Sequence, residues 1–245
     1  MPVAQYDSIG DRYTEVANLP TGLLQQASMQ ALVGDIMDLT VLDLACGAGS
    51  YTQKTVTEWG ARHAVGVDIS PLIIEVARRR TQDDPRVEFH VADCGQSLYM
   101  GQFDIVICRW LLNYATNDAE MLDMWRNIFN NLKPGGRVIG LTPDLGAIEK
   151  ARSLPVGNYY GQSVEVLEWL ENGGVKVQTT MHTSEPFSFQ SWFLPREMYN
   201  KGAKLAGMKE VQWVTNPDFA VPGVDMEQVR KCPLFNNFTA IRPLG

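Results

Sequence analysis

From residue 40 onward, short apolar runs alternate with segments whose apolar residues recur every three or four positions, the two spacings that separate strands from amphipathic helices. Thr40–Ala45, His63–Asp68, Val87–Ala92, Phe103–Cys108 and Val138–Leu141 read as five strands. Helices are predicted over Ser50–Trp59, after Ser70, and from Asn117 or Asp118 to Leu132. Ahead of the first strand, Leu24, Ala27, Leu32, Val33 and Ile36 fall on one face of a helix over Gly22–Leu39. Ser70 suits an N-cap and Pro71 the first helical position, with Leu72, Ile73, Val76 and Ala77 as the buried stripe. Lys133-Pro134-Gly135-Gly136 stops the helix that precedes the fifth strand. Strands alternating with helices at this spacing predict an α/β fold, a doubly wound and mostly parallel sheet with right-handed crossovers.

After Thr142 the regularity loosens. Ser163 is expected to cap a short helix to Glu171, and Val175–His182 with Phe187–Phe193 to form a two-stranded ribbon. Another helix is predicted from Pro195 to Leu205, ended by Gly207, then closing strands over Met208–Val214 and Asn237–Ile241. No internal repeat or linker interrupts the chain. A single domain over 1–245 is expected: an N-terminal cap segment and helix (1–39), a ligand-binding core (40–142), a lid and acceptor region (143–206) and closing strands (207–245).

Composition narrows the function. The formal net charge is -7 and no Lys/Arg run occurs, which argues against a nucleic-acid partner, since such surfaces need cations to replace phosphate counterions. No secretory pattern opens the sequence and no apolar run approaches a membrane span, so a cytoplasmic protein without a membrane partner is expected. Cys46, Cys94, Cys108 and Cys232 have no zinc-ligand spacing, so no metal is expected and the thiols are read as reduced.

The strongest local signal is Val41-Leu42-Asp43-Leu44-Ala45-Cys46-Gly47-Ala48-Gly49-Ser50, a strand-to-helix turn where doubly wound sheets bind nucleotide-like ligands. Gly47 and Gly49 allow a tight turn and close ligand approach. Asp68 ends the second strand, placing a carboxylate where it can accept both ribose hydroxyls. A dinucleotide dehydrogenase would share these features, but its third fingerprint glycine is replaced here by Thr52 behind Tyr51. Asp93, closing the third strand before Cys94, could take the amine of an adenine; alone it reads equally well as a turn former. Arg109 follows the fourth strand, placed beside such a ligand or paired with a surface acid.

Taken in order, these motifs resemble the class I S-adenosylmethionine-dependent methyltransferases, particularly their ubiquinone-biosynthesis-like, small-metabolite group. The resemblance covers Tyr6 to Thr142 well and the last third loosely. It implies a Rossmann-like seven-stranded sheet, S-adenosyl-L-methionine as cofactor and methyl transfer to a small organic acceptor. The family's acidic-glycine motif is matched by Asp43, Gly47 and Gly49, with Ala45 in place of its first glycine. By that resemblance Ala45 and Gly47 present backbone to the methionine moiety, Asp68 holds the ribose, Ile69 lies on the adenine, and Asp93 and Cys94 sit at its edge. The segment Tyr6–Tyr13 looks like the family's cofactor-covering N-terminus, with Tyr13 near the methionine carboxylate and Tyr6 on the methyl-transfer side.

A sulfonium already activates its methyl group, so the protein need supply mainly proximity and alignment, and no catalytic residue is assigned. His182 and Asp144 are candidate bases, each equally well a surface group. Trp110, Tyr114, Tyr159, Tyr160 and Trp192 are expected to wall an aromatic acceptor pocket, with Asp144, His182 and Tyr6 at its margin. No Asn/Asp-Pro-Pro-Tyr/Phe run follows the fourth strand, which argues against base amino-methylation. Two alternatives stay open: a cofactor-binding protein that catalyses cyclisation or isomerisation, and a methyltransferase for a protein side chain. Replacing Asp68 with Ala is expected to weaken cofactor binding with little change in melting temperature. The segments Tyr6–Tyr13 and Ala147–Phe193, hinged at glycines including Gly157, are expected to fold together over the site.

Overall fold

The structure is a computed structural model that describes residues 9–81, 84–153, 159–214, 216 and 219–245. It opens with a 3-10 helix, Gly10–Asn18, and α1, Pro20–Val33. Strands β1 (Thr40–Leu44), β2 (His63–Asp68), β3 (Val87–Val91), β4 (Phe103–Arg109) and β5 (Leu132–Pro143) then alternate with α2 (Ser50–Thr57), α3 (Pro71–Thr81) and α4 (Asp118–Asn131). The C-terminal part contributes α5 (Ile148–Ser153), β6 (Gln162–Trp169), β7 (Val175–Met181), β8 (Phe187–Phe193), α6 (Arg196–Ala206), β9 (Gln212–Val214), α7 (Met226–Lys231) and β10 (Phe235–Ile241).

Seven strands make one sheet in the order β3-β2-β1-β4-β5-β10-β9. The first five are parallel, and β10 runs antiparallel to both β5 and β9. Alternate residues of the central strands feed two cores. Val41, Ile105, Ile107, Ile139 and Leu141 pack with Leu24, Met29 and Val56 of α1 and α2. Leu42, Leu44, Val106, Cys108 and Val138 pack on the other face with Trp125, Ile128 and Tyr199 of α4 and α6. Burial on both faces is why these strands read as continuous apolar runs.

Several boundaries differ from the sequence reading. The leading helix ends at Val33 because Gly34 turns left-handed (φ 58°) and Arg137 donates to the carbonyls of Leu32 and Val33. Ile36 and Leu32 still reach the core from beyond or at its end. Ser70 does cap α3, its Oγ accepting from the Ile73 amide at 3.2 Å. The buried stripe, however, is Ile73, Ile74 and Ala77, and Leu72 is 52% exposed. Asn117 caps α4 through the Glu120 amide, at 3.0 Å. Residues 162–169 form β6 instead of a helix, so the ribbon is a three-stranded antiparallel sheet, β6-β7-β8. Val164 and Val166 pack into the core while Glu165 faces solvent, a period of two that only the partner strand reveals.

The 3-10 helix docks on this second sheet. Ile9 and Val16 cluster with Met181 and Phe187, and the Glu15 carboxylate accepts from the Ser184 amide and hydroxyl at 3.0 and 2.8 Å. The two segments expected to lie together thus do so over their described residues; Tyr6 and Gly157 lie outside them.

Candidate active site

The turn from β1 to α2 is built on three left-handed residues, Ala45 (φ 57°), Gly47 (φ 55°) and Gly49 (φ 72°). Their tasks differ. A Cβ at Gly49 would sit 2.5 Å from Phe89 Cζ, so that glycine lets β3 close under the helix start. A Cβ at Gly47 would meet nothing within 4 Å and would project into a cleft. Ala45, Gly47, Asp68, Ile69, Cys94, Arg109 and Tyr13 all line that cleft, which has a volume of about 170 Å³.

Asp68, at the end of β2, is 9% exposed and holds the turn together. One carboxylate oxygen accepts from the Gly47 amide at 2.9 Å and the other from the Ser70 amide at 3.0 Å. Arg109 leaves the end of β4 and lays its guanidinium 3.5 Å from the centre of the Tyr51 ring. Its Nε is buried without a hydrogen-bond partner among the described residues. Tyr13 arrives from the 3-10 helix, and burial pushes its hydroxyl above its usual range, with Asp68 adding to this and Arg109 opposing it. Burial likewise pushes the Cys94 thiol up to about 12.

Three predicted ligand residues stand behind the cleft wall. Asp43 is buried under the turn, where Thr52 Oγ1 donates to its Oδ2 at 2.7 Å and its Oδ1 has no partner among the described residues. Its carboxyl is held above the ordinary range by burial, against the pull of Arg109 and Thr52. Thr52, the residue that replaces the fingerprint glycine, therefore pins α2 to β1. Gly49 packs on Phe89, as above. Asp93 accepts from the Gly95 amide at 2.8 Å, the turn-forming role.

A second cavity, of about 50 Å³, adjoins the first and shares Tyr13, Val16, Gln25, Trp110 and Tyr114 with it. Its other walls come from the ends of β4 and β5 (Asn113, Pro143), from β6–β8 (Gln162, Thr179, Met181, Phe189, Ser191, Phe193) and from Leu234. No Asp, Glu, Lys, Arg or His lines it among the described residues. Trp110 is held in a left-handed conformation (φ 56°), which a bulky residue adopts at a cost. Its indole N–H donates to Gln25 Oε1 at 2.9 Å, and Gln25 Nε2 donates to Thr21 Oγ1 at 3.1 Å.

Of the residues expected to wall an acceptor pocket, Trp110 and Tyr114 line this second cavity. Five others do not line either cavity. Tyr159 and Tyr160 are buried, their hydroxyls donating to the carbonyls of Pro233 and Cys232 at 3.3 and 2.6 Å. His182 pairs its Nε2 with Ser163 Oγ at 2.8 Å. Asp144 caps a 3-10 turn by accepting from Gly146 at 3.0 Å. Trp192 faces the opposite side of β8 from Ser191 and Phe193, against Tyr114 and Lys176. Sequence reasoning missed Gln25, Asn113, Gln162, Thr179 and Ser191. Alternation along β7 and β8 could have found Thr179, Met181, Phe189, Ser191 and Phe193 as one face.

Residues 41–136 match the family model described as a methyltransferase domain. The chain carries an S-adenosylmethionine-dependent methyltransferase domain. A demethylmenaquinone methyltransferase of Lactococcus lactis is 26% identical over 66% of this chain and 68% of its own length. A ribosomal protein L11 methyltransferase of Paraburkholderia phymatum is 31% identical over 56% of this chain, which spans only 41% of that relative. The fold is shared with an S-adenosylmethionine-dependent methyltransferase of Clostridium acetobutylicum, with a TM-score of 0.63 at 15% identity over 90% of this chain and 91% of that one.

The cofactor of the domain is S-adenosyl-L-methionine. The cleft suits it in two respects: the open space beside Gly47 admits a ligand against the backbone, and Arg109 Nε is left for an anionic group. No group of three or more metal-ligating side chains occurs among the described residues, and no described helix is long and apolar enough to cross a membrane.

Proposed function

We propose that this enzyme methylates an uncharged small molecule held in the second cavity. The observation that carries this is the common wall: five residues belong to both cavities, which sets a ligand in one beside a ligand in the other. Within the cleft, Asp68 takes the ribose hydroxyls, Ile69 and Cys94 flank the adenine, and Ala45 and Gly47 turn their backbone to the methionine part. Arg109 and Tyr13 receive the carboxylate. Asp43 and Asp93 act indirectly, by holding the turns in place.

The bound cofactor supplies an activated methyl group; the chain supplies place and dryness. Tyr13, Trp110 and Tyr114 exclude water from the junction and offer ring faces to positive charge. Two phenols, Tyr13 and Tyr114, line the second cavity, and the raised pKa of Tyr13 keeps its proton on the oxygen near neutrality. With no carboxylate or imidazole lining it among the described residues, the acceptor's own acidity governs departure of its proton, which passes to solvent. The neutral lining also disfavours phosphorylated acceptors, whose charge would go unpaired.

The Lactococcus relative is named for demethylmenaquinone and the Paraburkholderia relative for a ribosomal protein. The neutral, aromatic lining favours the first kind of acceptor. Incubation with methyl-labelled cofactor and a cell extract separated by size and charge tests the proposal. Label in uncharged small molecules is expected; label confined to protein or RNA would overturn it.

A further inference from the structure

Asn113 lies in the 3-10 turn Leu112–Tyr114 that follows β4 and forms part of the second cavity's wall. It is 2% exposed, and its Oδ1 has no hydrogen-bond partner among the described residues. A buried acceptor left without a donor destabilises the fold, and native interiors rarely keep one. Gln25 in the same wall does not share the deficit, since it accepts from Trp110 and donates to Thr21. The same turn brings Tyr114 into the wall shared by both cavities, so whatever meets Asn113 lies close to the junction.

We propose that Asn113 Oδ1 accepts a hydrogen bond from an N–H or O–H of the methyl acceptor, and that the cavity thereby selects neutral ring compounds carrying such a donor. This rests on the reading of the second cavity as the acceptor site. The lining adds two supports. With no ionised side chain lining the cavity among the described residues, an amide oxygen is a strong enough acceptor to discriminate in a water-poor site. The flanking aromatic and aliphatic side chains, Trp110, Phe189, Phe193 and Met181, suit a ring.

Indole and 1-methylindole serve as probes, because a methyl group replaces the N–H donor in the second and neither carries charge. Binding is titrated by NMR to the full chain saturated with S-adenosylhomocysteine. Indole is expected to bind at least fivefold more tightly than 1-methylindole. Asn113→Leu, with the same branched skeleton, a larger volume and no oxygen, is expected to bring the ratio near one and to raise the melting temperature by about 2–4 °C. Asn113→Ser, whose hydroxyl stops short, serves as a second variant with the same expected loss of preference. The same ratio in all three proteins, or no binding of either probe to the wild type, overturns the role of Asn113. Failure of S-adenosylhomocysteine itself to bind, measured by calorimetry beforehand, would instead bring down the reading of the cleft.

Discussion

Asp68→Asn separates two jobs that one carboxylate performs. In the free protein both oxygens are engaged, one by the Gly47 amide and one by the Ser70 amide. An asparagine offers one oxygen, so its NH2 must face one of those backbone N–H groups, donor against donor. Losing one charge-assisted bond and stranding an N–H costs about 1.5–3 kcal/mol. For a chain of this size that corresponds to a fall in melting temperature of roughly 3–12 °C. This corrects the expectation, drawn from sequence position alone, that removing the carboxylate would leave the free protein nearly unaffected. If the carboxylate also receives ribose hydroxyls, loss of a second bond of that strength weakens binding at least tenfold. Thermal melts without ligand and calorimetry with S-adenosylhomocysteine read the two effects independently. A melting temperature within a degree of the wild type would refute the structural argument, and an unchanged dissociation constant would refute the ribose assignment.

The two turn glycines should part company. Both are left-handed, so either alanine is strained by about 1 kcal/mol, but Gly47→Ala has room for its Cβ and should add mainly a loss of cofactor affinity, whereas Gly49→Ala also collides with Phe89 and should lower the melting temperature further; equal effects on both quantities would contradict the geometry. Asp43 holds its proton more tightly folded than unfolded, so its contribution to stability is full below the ordinary value of 3.8 and is lost as pH rises through the raised folded value. Asp43→Asn keeps an oxygen for Thr52 and should gain in melting temperature over the wild type as pH rises from 4 to 8; a difference flat with pH would count against this. Tyr13→Phe should weaken S-adenosylhomocysteine about tenfold while adding no new limb to the pH–rate profile between 6 and 9, because the hydroxyl keeps its proton throughout that range. A wild-type limb in that range that disappears in Tyr13→Phe would show that the hydroxyl titrates after all.

The sheet that carries the cleft was legible from residue order because its signals are local. A strand buried on both faces is a short apolar run, Ser70-Pro71 starts a helix whatever surrounds it, and Gly47 marks a turn that backbone sterics demand. The second cavity was not legible, since its walls come from residues far apart in the chain. Gln25 from α1, Asn113 after β4, Ser191 on β8 and Leu234 before β10 meet only once the three-stranded sheet is seated. Ser163 to Glu171 misled for the same reason: Val164 and Val166 become a strand because β7 supplies hydrogen-bond partners, and helix signals lose to that pairing. Tyr159, Tyr160 and His182 have the chemistry of a pocket but were given to the core or to a neighbour by packing. Residue type states what a side chain could do; which cavity it faces is set by how separate elements pack, and that is information only the tertiary structure holds.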